Sequence, residues 1–315
     1  MTGPPALNAS DMPSRQRFQV NADIVTDRSS GLLWHRNASL AEFPLTWIEA
    51  LDFVKGMNER CEQGFSDWRL PNRRELFSLL SHETVNPALP QRHPFRNVFN
   101  GYYWSSSTCV RLPRQAWYAH LGGARLFKGM KHGSYMLWPV RGTAVRGGSV
   151  FRTGQRACYD EDGRVAPCAE GGQDGAVQGG TPWPAPRFSS LECGVLDRLT
   201  RRVWSRSTDL CSGPVDWEGA KAHIEEMNAR GVGGCSDWRL PGIRELESLV
   251  DLQSHSPALP ESHPFEDVAP YHWSVTTSAY DPDYAWVLYG QDGAVGVGFK
   301  TGADFHVWAV RSDTS

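Results

Sequence analysis

The chain contains two similar stretches. In each of them, apolar residues recur at helical spacing in two separate segments. From Trp47 onward they recur at helical spacing, and Thr46 with Glu49 has the form of a capping box, in which side chain and backbone groups at a helix start bond each other. A second helix is predicted after Pro71, with Asn72 as its capping residue. The same two patterns recur in the second half of the chain.

Short alternating stretches flank these two helices. The chain from Phe18 to Trp34 is strand-like, and after Pro90 the period changes to two. Glycine-containing turns then separate four further predicted strands, at Tyr103–Ser105, Ala116–Tyr118, Ala124–Phe127 and Met136–Trp138. The order of elements predicts an α+β fold, in which each copy has two helices and a small antiparallel sheet.

The chain contains an internal repeat at a shift of 170 residues. Asp67 to Pro71, with the sequence DWRLP, recurs at Asp237 to Pro241, and ordered matches run on through most of both halves. Two units at this period indicate tandem duplication, because a solenoid needs three or more short repeats. The predicted organisation is a tail (1–16), copy 1 (17–142), a linker rich in Gly and Pro (143–186) and copy 2 (187–312).

The ordered motifs of each copy resemble one family. Copy 1 carries GLLW at 31–34, DWRLPNRREL at 67–76, YWSS at 103–106 and the pair Val140-Arg141. This order is similar to the domain at the C-terminus of the Legionella collagen-like protein, the Lcl C-terminal domain. The resemblance implies a C-type-lectin-like fold, a bacterial protein of the cell surface, exterior or periplasm, and adhesion by carbohydrate binding, with sulfated glycans as the best-known ligands.

The residues of the DWRLP motif could be catalytic or structural, and we favour the structural interpretation. An arginine beside two carboxylates suits acid–base chemistry, yet the same types build a buried ion pair that fixes two layers together. Both copies keep the motif, which favours a structural role for Asp67, Trp68, Arg69, Glu75, Asp237, Trp238, Arg239 and Glu245. The sequence contains no phosphate-binding loop, dinucleotide fingerprint or nucleophile elbow. We therefore expect a binding protein and not an enzyme.

The two copies carry opposite charge. Copy 1 has 16 Lys and Arg against 10 Asp and Glu, whereas copy 2 has 11 against 18. No Asp or Glu occurs from residue 84 to residue 159. Guanidinium groups bind sulfate and phosphate through paired hydrogen bonds, so this stretch predicts an anion site. Its candidate ligand-binding residues are Arg92, Arg96, Arg111, Arg114, Arg125, Lys128 and Lys131.

Three readings of this charge asymmetry remain open. The basic face of copy 1 binds an anionic polysaccharide, or it recognises an acidic protein surface. That surface includes copy 2, either within the same chain or in another chain, and the contact between chains would give a homo-oligomer. The third reading is solvated surface charge without a partner. The family resemblance favours the first, and we expect no nucleic-acid partner.

Acidic residues and cysteines of the chain add two minor predictions. Asp281, Asp283, Asp292 and Asp304 offer oxygens of the kind that Ca²⁺ prefers, but copy 1 lacks acids there and known calcium-loop signatures are missing, so no cofactor is expected. Among the seven cysteines, Cys158 with Cys168 and Cys211 with Cys235 are candidate disulfides.

The remaining composition indicates a soluble globular chain. Its 315 residues are 40% hydrophobic and 21% charged, and no apolar stretch is long enough for a membrane span. The N-terminal sequence has no basic start followed by an apolar run, so the chain is either cytosolic or lacks its export signal here. Disulfides would favour an oxidising compartment.

Overall fold

A computed structural model describes residues 14–142, 150–168 and 171–313 of the protein. Most of the predicted N-terminal tail, and residues 143–149 and 169–170 of the predicted linker, lie outside the described residues. The chain divides into two compact units, with the boundary between Pro182 and Trp183. Each unit contains one copy of the repeat.

The first unit opens with a small antiparallel sheet. A short helix, α1 (Ser14–Arg17), leads into strands β1 (Phe18–Asn21), β2 (Ile24–Asp27) and β3 (Leu32–His35), and β3 also pairs with β7 (Val140–Arg141). The carboxylate of Asp27 receives two hydrogen bonds from the guanidinium of Arg17, and both side chains are buried. This ion pair fixes the start of the copy to the β2–β3 turn.

Two capped helices follow this sheet. Helix α2 (Trp47–Glu59) begins at the predicted capping box, with the Thr46 amide donating to Glu49 at 2.8 Å. Helix α3 (Arg73–Leu79) is capped by Asn72, whose Oδ1 accepts from the Glu75 amide at 2.9 Å. The two helix starts therefore lie where the sequence predicts them. A 3-10 turn at Glu62–Gly64 separates the helices.

A second antiparallel sheet completes the first copy. It consists of β4 (Tyr102–Thr108), β5 (Gln115–His120) and β6 (Arg125–Met130), with β5 between the other two. The strand predicted at Met136–Trp138 is wrong. Met136 makes only an isolated parallel bridge to Tyr103, and the chain re-enters a sheet at β7, next to the opening strands.

Residues 150–168 and 171–182, which the sequence assigns to a linker, pack on the first copy. They contain β8 (Cys158–Tyr159), β9 (Val165–Ala166) and helix α4 (Asp174–Val177). The side-chain amide of Gln155 donates to the Thr108 carbonyl at 2.8 Å and accepts from the Thr108 amide at 3.0 Å. Gln155 thus satisfies both backbone groups at the end of β4, as another strand would. We call residues 150–168 and 171–182 the docked segment.

The second unit repeats the elements of the first copy. Strands β10 (Phe188–Leu191), β11 (Gly194–Asp197), β12 (Arg202–Trp204) and β16 (Val310–Ser312) form its first sheet. Its helices are α5 (Trp217–Ala229), capped by Asp216, and α6 (Ile243–Leu249), with a 3-10 turn at Val232–Gly234 between them. Strands β13 (Tyr271–Thr277), β14 (Tyr284–Tyr289) and β15 (Ala294–Phe299) pair antiparallel, with β14 in the centre.

Tryptophan pairs fill the centre of each copy. In copy 1 the rings of Trp34 and Trp138 are fully buried, with centroids 5.7 Å apart, and Phe95 packs edge-on against Trp138 at 4.7 Å. In copy 2 Trp204 and Trp308 form the same pair at 5.0 Å. Each pair joins the first sheet to the chain just before its last strand. The prediction of a duplicated α+β domain is confirmed, with two small sheets in each copy where one was predicted.

Candidate ligand-binding site

The DWRLP motif residues of copy 1 are engaged in contacts within the fold. The Asp67 carboxylate binds the guanidinium of Arg141 on β7 at 2.7 Å, and the Trp68 indole is buried and donates to the Glu62 carbonyl. Arg69 and Glu75 form a two-bond ion pair with both N–O distances at 2.6 Å. These contacts join the start of α3 to the last strand of the copy.

Copy 2 repeats this arrangement. Arg239 and Glu245 form the same two-bond pair, at 2.7 and 2.6 Å, and Asp237 binds Arg311 at 2.6 Å. Burial alone would raise the pKa of Glu245, but the Arg239 guanidinium lowers it below its ordinary value. The carboxylate is therefore held ionised by its partner, which suits a structural ion pair better than a proton donor.

Lys131, expected at the anion site, is instead buried under the docked segment. Its side chain is 1% exposed, and its ammonium group donates to the carbonyls of Tyr159 at 3.2 Å and Asp160 at 2.8 Å. The same ammonium lies 4.2 Å from the centre of the Trp47 ring. Burial lowers the pKa of Lys131 to about 8. This corrects the sequence prediction, because Lys131 binds backbone of its own chain.

Arg111 and Arg114 lie at one end of the second sheet, in the β4–β5 turn. Arg114 donates from Nε to the Asp162 carbonyl at 3.1 Å, and both arginines are exposed. Arg125 lies at the opposite end, where it pairs with His120 across β5 and β6. The length of β5 separates the two ends by roughly 17 Å, at about 3.4 Å per residue.

The other three predicted ligand residues occupy different surroundings. The Lys128 ammonium lies 4.6 Å from the centre of the Phe127 ring and 5.5 Å from that of Trp117. Arg92 and Arg96 are exposed on the loop after α3, where the Arg96 amide donates to the carbonyl of Arg36. The seven basic residues therefore do not converge on one point.

Around Arg125 the structure assembles an aromatic surface that the sequence analysis missed. The rings of Tyr102, Tyr118 and Tyr135 contact one another, with centroid distances of 4.9, 5.2 and 5.1 Å, and His120 stacks on Tyr102 at 4.8 Å. We call these four rings together with Arg125 the aromatic shelf. Tyr102 remains 41% exposed and Arg125 is exposed, so the shelf faces solvent.

Electrostatics of the shelf leave Arg125 as its permanent charge. Burial and the neighbouring guanidinium of Arg125 lower the pKa of His120, so the imidazole is neutral near pH 7. Burial and two neighbouring tyrosines raise the pKa of Tyr118 to about 12, which keeps its hydroxyl protonated. Among the described residues, no carboxylate forms an ion pair with Arg125. The shelf thus presents one cation, neutral hydroxyl groups and flat rings.

Copy 2 lacks this combination at the corresponding positions. Val287 replaces Tyr118 and Ala294 replaces Arg125, as the pairing of the strands shows. Phe305 replaces Tyr135 at the shift of 170 residues, and both make an isolated bridge at equivalent positions. All three replacements are buried. The sequence does indicate that Tyr118 and His120 lie on the same face of a strand, because they are two residues apart. It does not indicate the other residues of the shelf, which are far away along the chain.

The cysteines are arranged differently from the prediction in one respect. Cys158 and Cys168 form a disulfide that closes the β8–β9 hairpin of the docked segment. Cys211 and Cys235, the second predicted pair, are both free. The side chain of Cys235 instead contacts Cys193, which lies in the β10–β11 turn. The sequence prediction failed because it placed both partners at the ends of one helix.

Neither a metal cluster nor a membrane helix is found in the part of the chain that the structure describes. Within residues 14–142, 150–168 and 171–313, no group of three or more His, Cys, Asp or Glu is placed to hold a metal ion. In the same residues no helix has the length and apolar character required to cross a bilayer.

Duplicated α+β domains, each with the same ion-paired motif residues, define a protein of two tandem copies of one domain. The family model of the Lcl C-terminal domain matches residues 23–141 and again 194–311, and the chain belongs to this family. The family is not known as catalytic and indicates a binding or adhesion role. A comparison with curated proteins found no match.

Proposed function

We propose that the protein is a non-catalytic binding protein whose first copy, in a C-type-lectin-like fold, binds an anionic glycan at the aromatic shelf. The observation that carries this proposal is the placement of Arg125 beside four contacting rings. Aromatic rings offer flat apolar surface with polar groups at their edges, and a guanidinium pairs with sulfate or carboxylate through two hydrogen bonds. A sulfated or acidic sugar combines these two needs, an apolar ring face and an anionic substituent.

The surroundings of the shelf favour an anion further. No Asp or Glu occurs from residue 84 to residue 159, so the strands that carry the shelf contribute no negative charge. Arg92, Arg96, Arg111, Arg114 and Lys128 lie in the same acid-free stretch. They attract a polyanion over a distance of about 8–10 Å at moderate salt, while Arg125 and the rings fix one sugar unit. Lys131 has no part in this, because the docked segment covers it.

The test is heparin binding by the full chain, measured by calorimetry across a salt series. Arg125→Ala introduces the residue that copy 2 carries at this position, as Ala294. We expect it to weaken heparin binding at least tenfold, because a hydrogen-bonded charged pair contributes about 1.5–3 kcal/mol. Arg28→Ala, in the exposed turn between β2 and β3, removes the same charge elsewhere and is the matched control.

Two outcomes would overturn this proposal. Equal losses for Arg125→Ala and Arg28→Ala would mean that diffuse charge binds heparin and that the shelf does not. Absence of heparin binding by the wild-type chain, together with self-association that weakens as salt is added, would favour the alternative of complementary basic and acidic faces. Sedimentation velocity at low and high salt measures that self-association.

A further inference from the structure

Two cysteines of copy 2 lie together although they are 42 residues apart in the chain. Cys193 lies in the turn between β10 and β11, and Cys235 directly follows the 3-10 turn Val232–Gly234. The thiol of Cys235 donates to the carbonyl of Gly233 at 3.6 Å, and both cysteines pack against the same core of copy 2. The backbone of Gly233 also lies against Cys193, since a Cβ built there would meet the Cα of Cys193 at 3.1 Å.

Copy 1 shows what this position does in the duplicated scaffold. Asp23 and Phe65 stand where copy 2 has Cys193 and Cys235. The guanidinium of Arg141 lies 3.6 Å from the centre of the Phe65 ring, so copy 1 closes this corner by a cation–π contact. In copy 2 the equivalent Arg311 approaches the sulfur of Cys193 at 4.0 Å. Copy 2 therefore has two thiols in place of Asp23 and of the Phe65 ring that contacts the arginine, and it keeps the arginine.

We propose that Cys193 and Cys235 are a disulfide-forming pair that joins the β10–β11 turn to the 3-10 turn after helix α5. The pair lies in one unit of the chain, and both cysteines are partly exposed, so a small oxidant reaches them. Burial raises the pKa of Cys235 and the neighbouring Arg311 opposes this rise, because its guanidinium stabilises the thiolate. Arg311 is thus placed to assist the exchange.

The reaction is thiol–disulfide exchange with a small-molecule disulfide such as oxidised glutathione. One cysteine, as the thiolate, attacks a glutathione sulfur, which forms a mixed disulfide and releases one glutathione thiolate. The second cysteine thiolate then attacks the protein-bound sulfur of that mixed disulfide and displaces the other glutathione. The two protons of the cysteine thiols end on the two released glutathione molecules, and the protein is oxidised by two electrons.

The experiment treats the full chain with oxidised glutathione, unfolds it, alkylates the remaining thiols and maps the peptides by mass spectrometry. We expect a peptide pair joined through Cys193 and Cys235, and the loss of these two cysteines from the alkylated peptides. Cys193→Ser is expected to leave Cys235 as a glutathione adduct. Cys211→Ser, the control, is expected to leave the joined peptides unchanged.

Two results would refute the proposal. One is a Cys211–Cys235 peptide in place of the Cys193–Cys235 peptide. The other is full alkylation of Cys193 and Cys235 in the glutathione-treated chain, in a sample where a small dithiol added as a control is itself oxidised. Serine variants are close in size to cysteine, and circular dichroism spectra that match the wild type ensure that any loss of cross-linking reflects the missing sulfur.

Discussion

The carboxyl group of Asp174 predicts how the packing of the docked segment on the first copy depends on pH. Its carboxylate is fully buried on helix α4 and accepts hydrogen bonds from the hydroxyls of Ser107 and Thr153, both at 2.6 Å. The second oxygen, Oδ1, has no hydrogen-bond partner among the described residues. Burial raises the pKa of Asp174 from 3.8 to about 6, against the opposing effect of the two hydroxyls. The folded segment therefore prefers the protonated carboxyl group.

The sign of the pH dependence follows from this raised pKa. When the folded pKa lies above the unfolded value, the group's contribution to stability is complete below the unfolded pKa and is lost as the pH rises through the folded one. The window for Asp174 thus runs from about pH 4 to about pH 6. Between pH 5 and pH 7.5 the free energy that holds the docked segment on the first copy should fall by on the order of 1 kcal/mol. This corresponds to roughly a tenfold change in the equilibrium for opening of the segment.

Asp174→Asn removes the titrating group and keeps the shape of the side chain. We expect this variant to lose the Asp174 part of the pH dependence and to hold the segment on the order of a hundredfold more tightly than the wild type at pH 7.5, because no charge is buried and the rise of the pKa from 3.8 to about 6 spans about two units. Amide hydrogen exchange of peptides from residues 150–160 measures this, after correction for the intrinsic pH dependence of exchange. Asp162→Asn, in an exposed turn of the same segment, is the control. Lower protection of Asp174→Asn at pH 7.5, or an unchanged pH profile, would refute the reasoning.

Two further predictions concern the core of the fold. Glu75→Gln leaves the guanidinium of Arg69 buried without its carboxylate and should lower the free energy of unfolding, measured by urea denaturation, by about 3–5 kcal/mol. Glu245→Gln should lower it by less, because Arg239 is 42% exposed, and equal losses for the two variants would contradict this. Trp138→Ala should cost about 3–5 kcal/mol by the same measurement, because its ring is fully buried, and a loss under 1 kcal/mol would show that the pair with Trp34 is not central.

Local signals in the sequence were sufficient to predict the helices of each copy. Capping at Thr46 and Asn72 depends on residues three positions apart, so the sequence itself contains the geometry. The duplication was equally visible, because a shift of 170 residues preserves the DWRLP motif. By contrast, the segment Met136–Trp138 alternates like a strand, yet its backbone bonds are used in an isolated bridge to Tyr103.

The candidate site could be predicted only in part, because it depends on contacts between distant residues. Arg125 was identified from charge, but its aromatic neighbours Tyr102 and Tyr135 are brought to it by the register of the sheet and by the chain after it. The sequence predicts an exposed Lys131 because nothing in the neighbouring residues shows that Tyr159 covers it. Prediction of either fact required knowledge of which segments meet in space.

The cover over Lys131 decides how the molecule can be divided into independent pieces. A fragment that ends at residue 142 would carry an ammonium group on the Trp47 ring without its carbonyl acceptors, and would leave the last backbone groups of β4 to water. In copy 2, the equivalent Lys300 also lies on a tryptophan ring but donates to the hydroxyl of Thr277. The two halves are therefore not interchangeable modules, and a recombinant first half should be excised at Pro182.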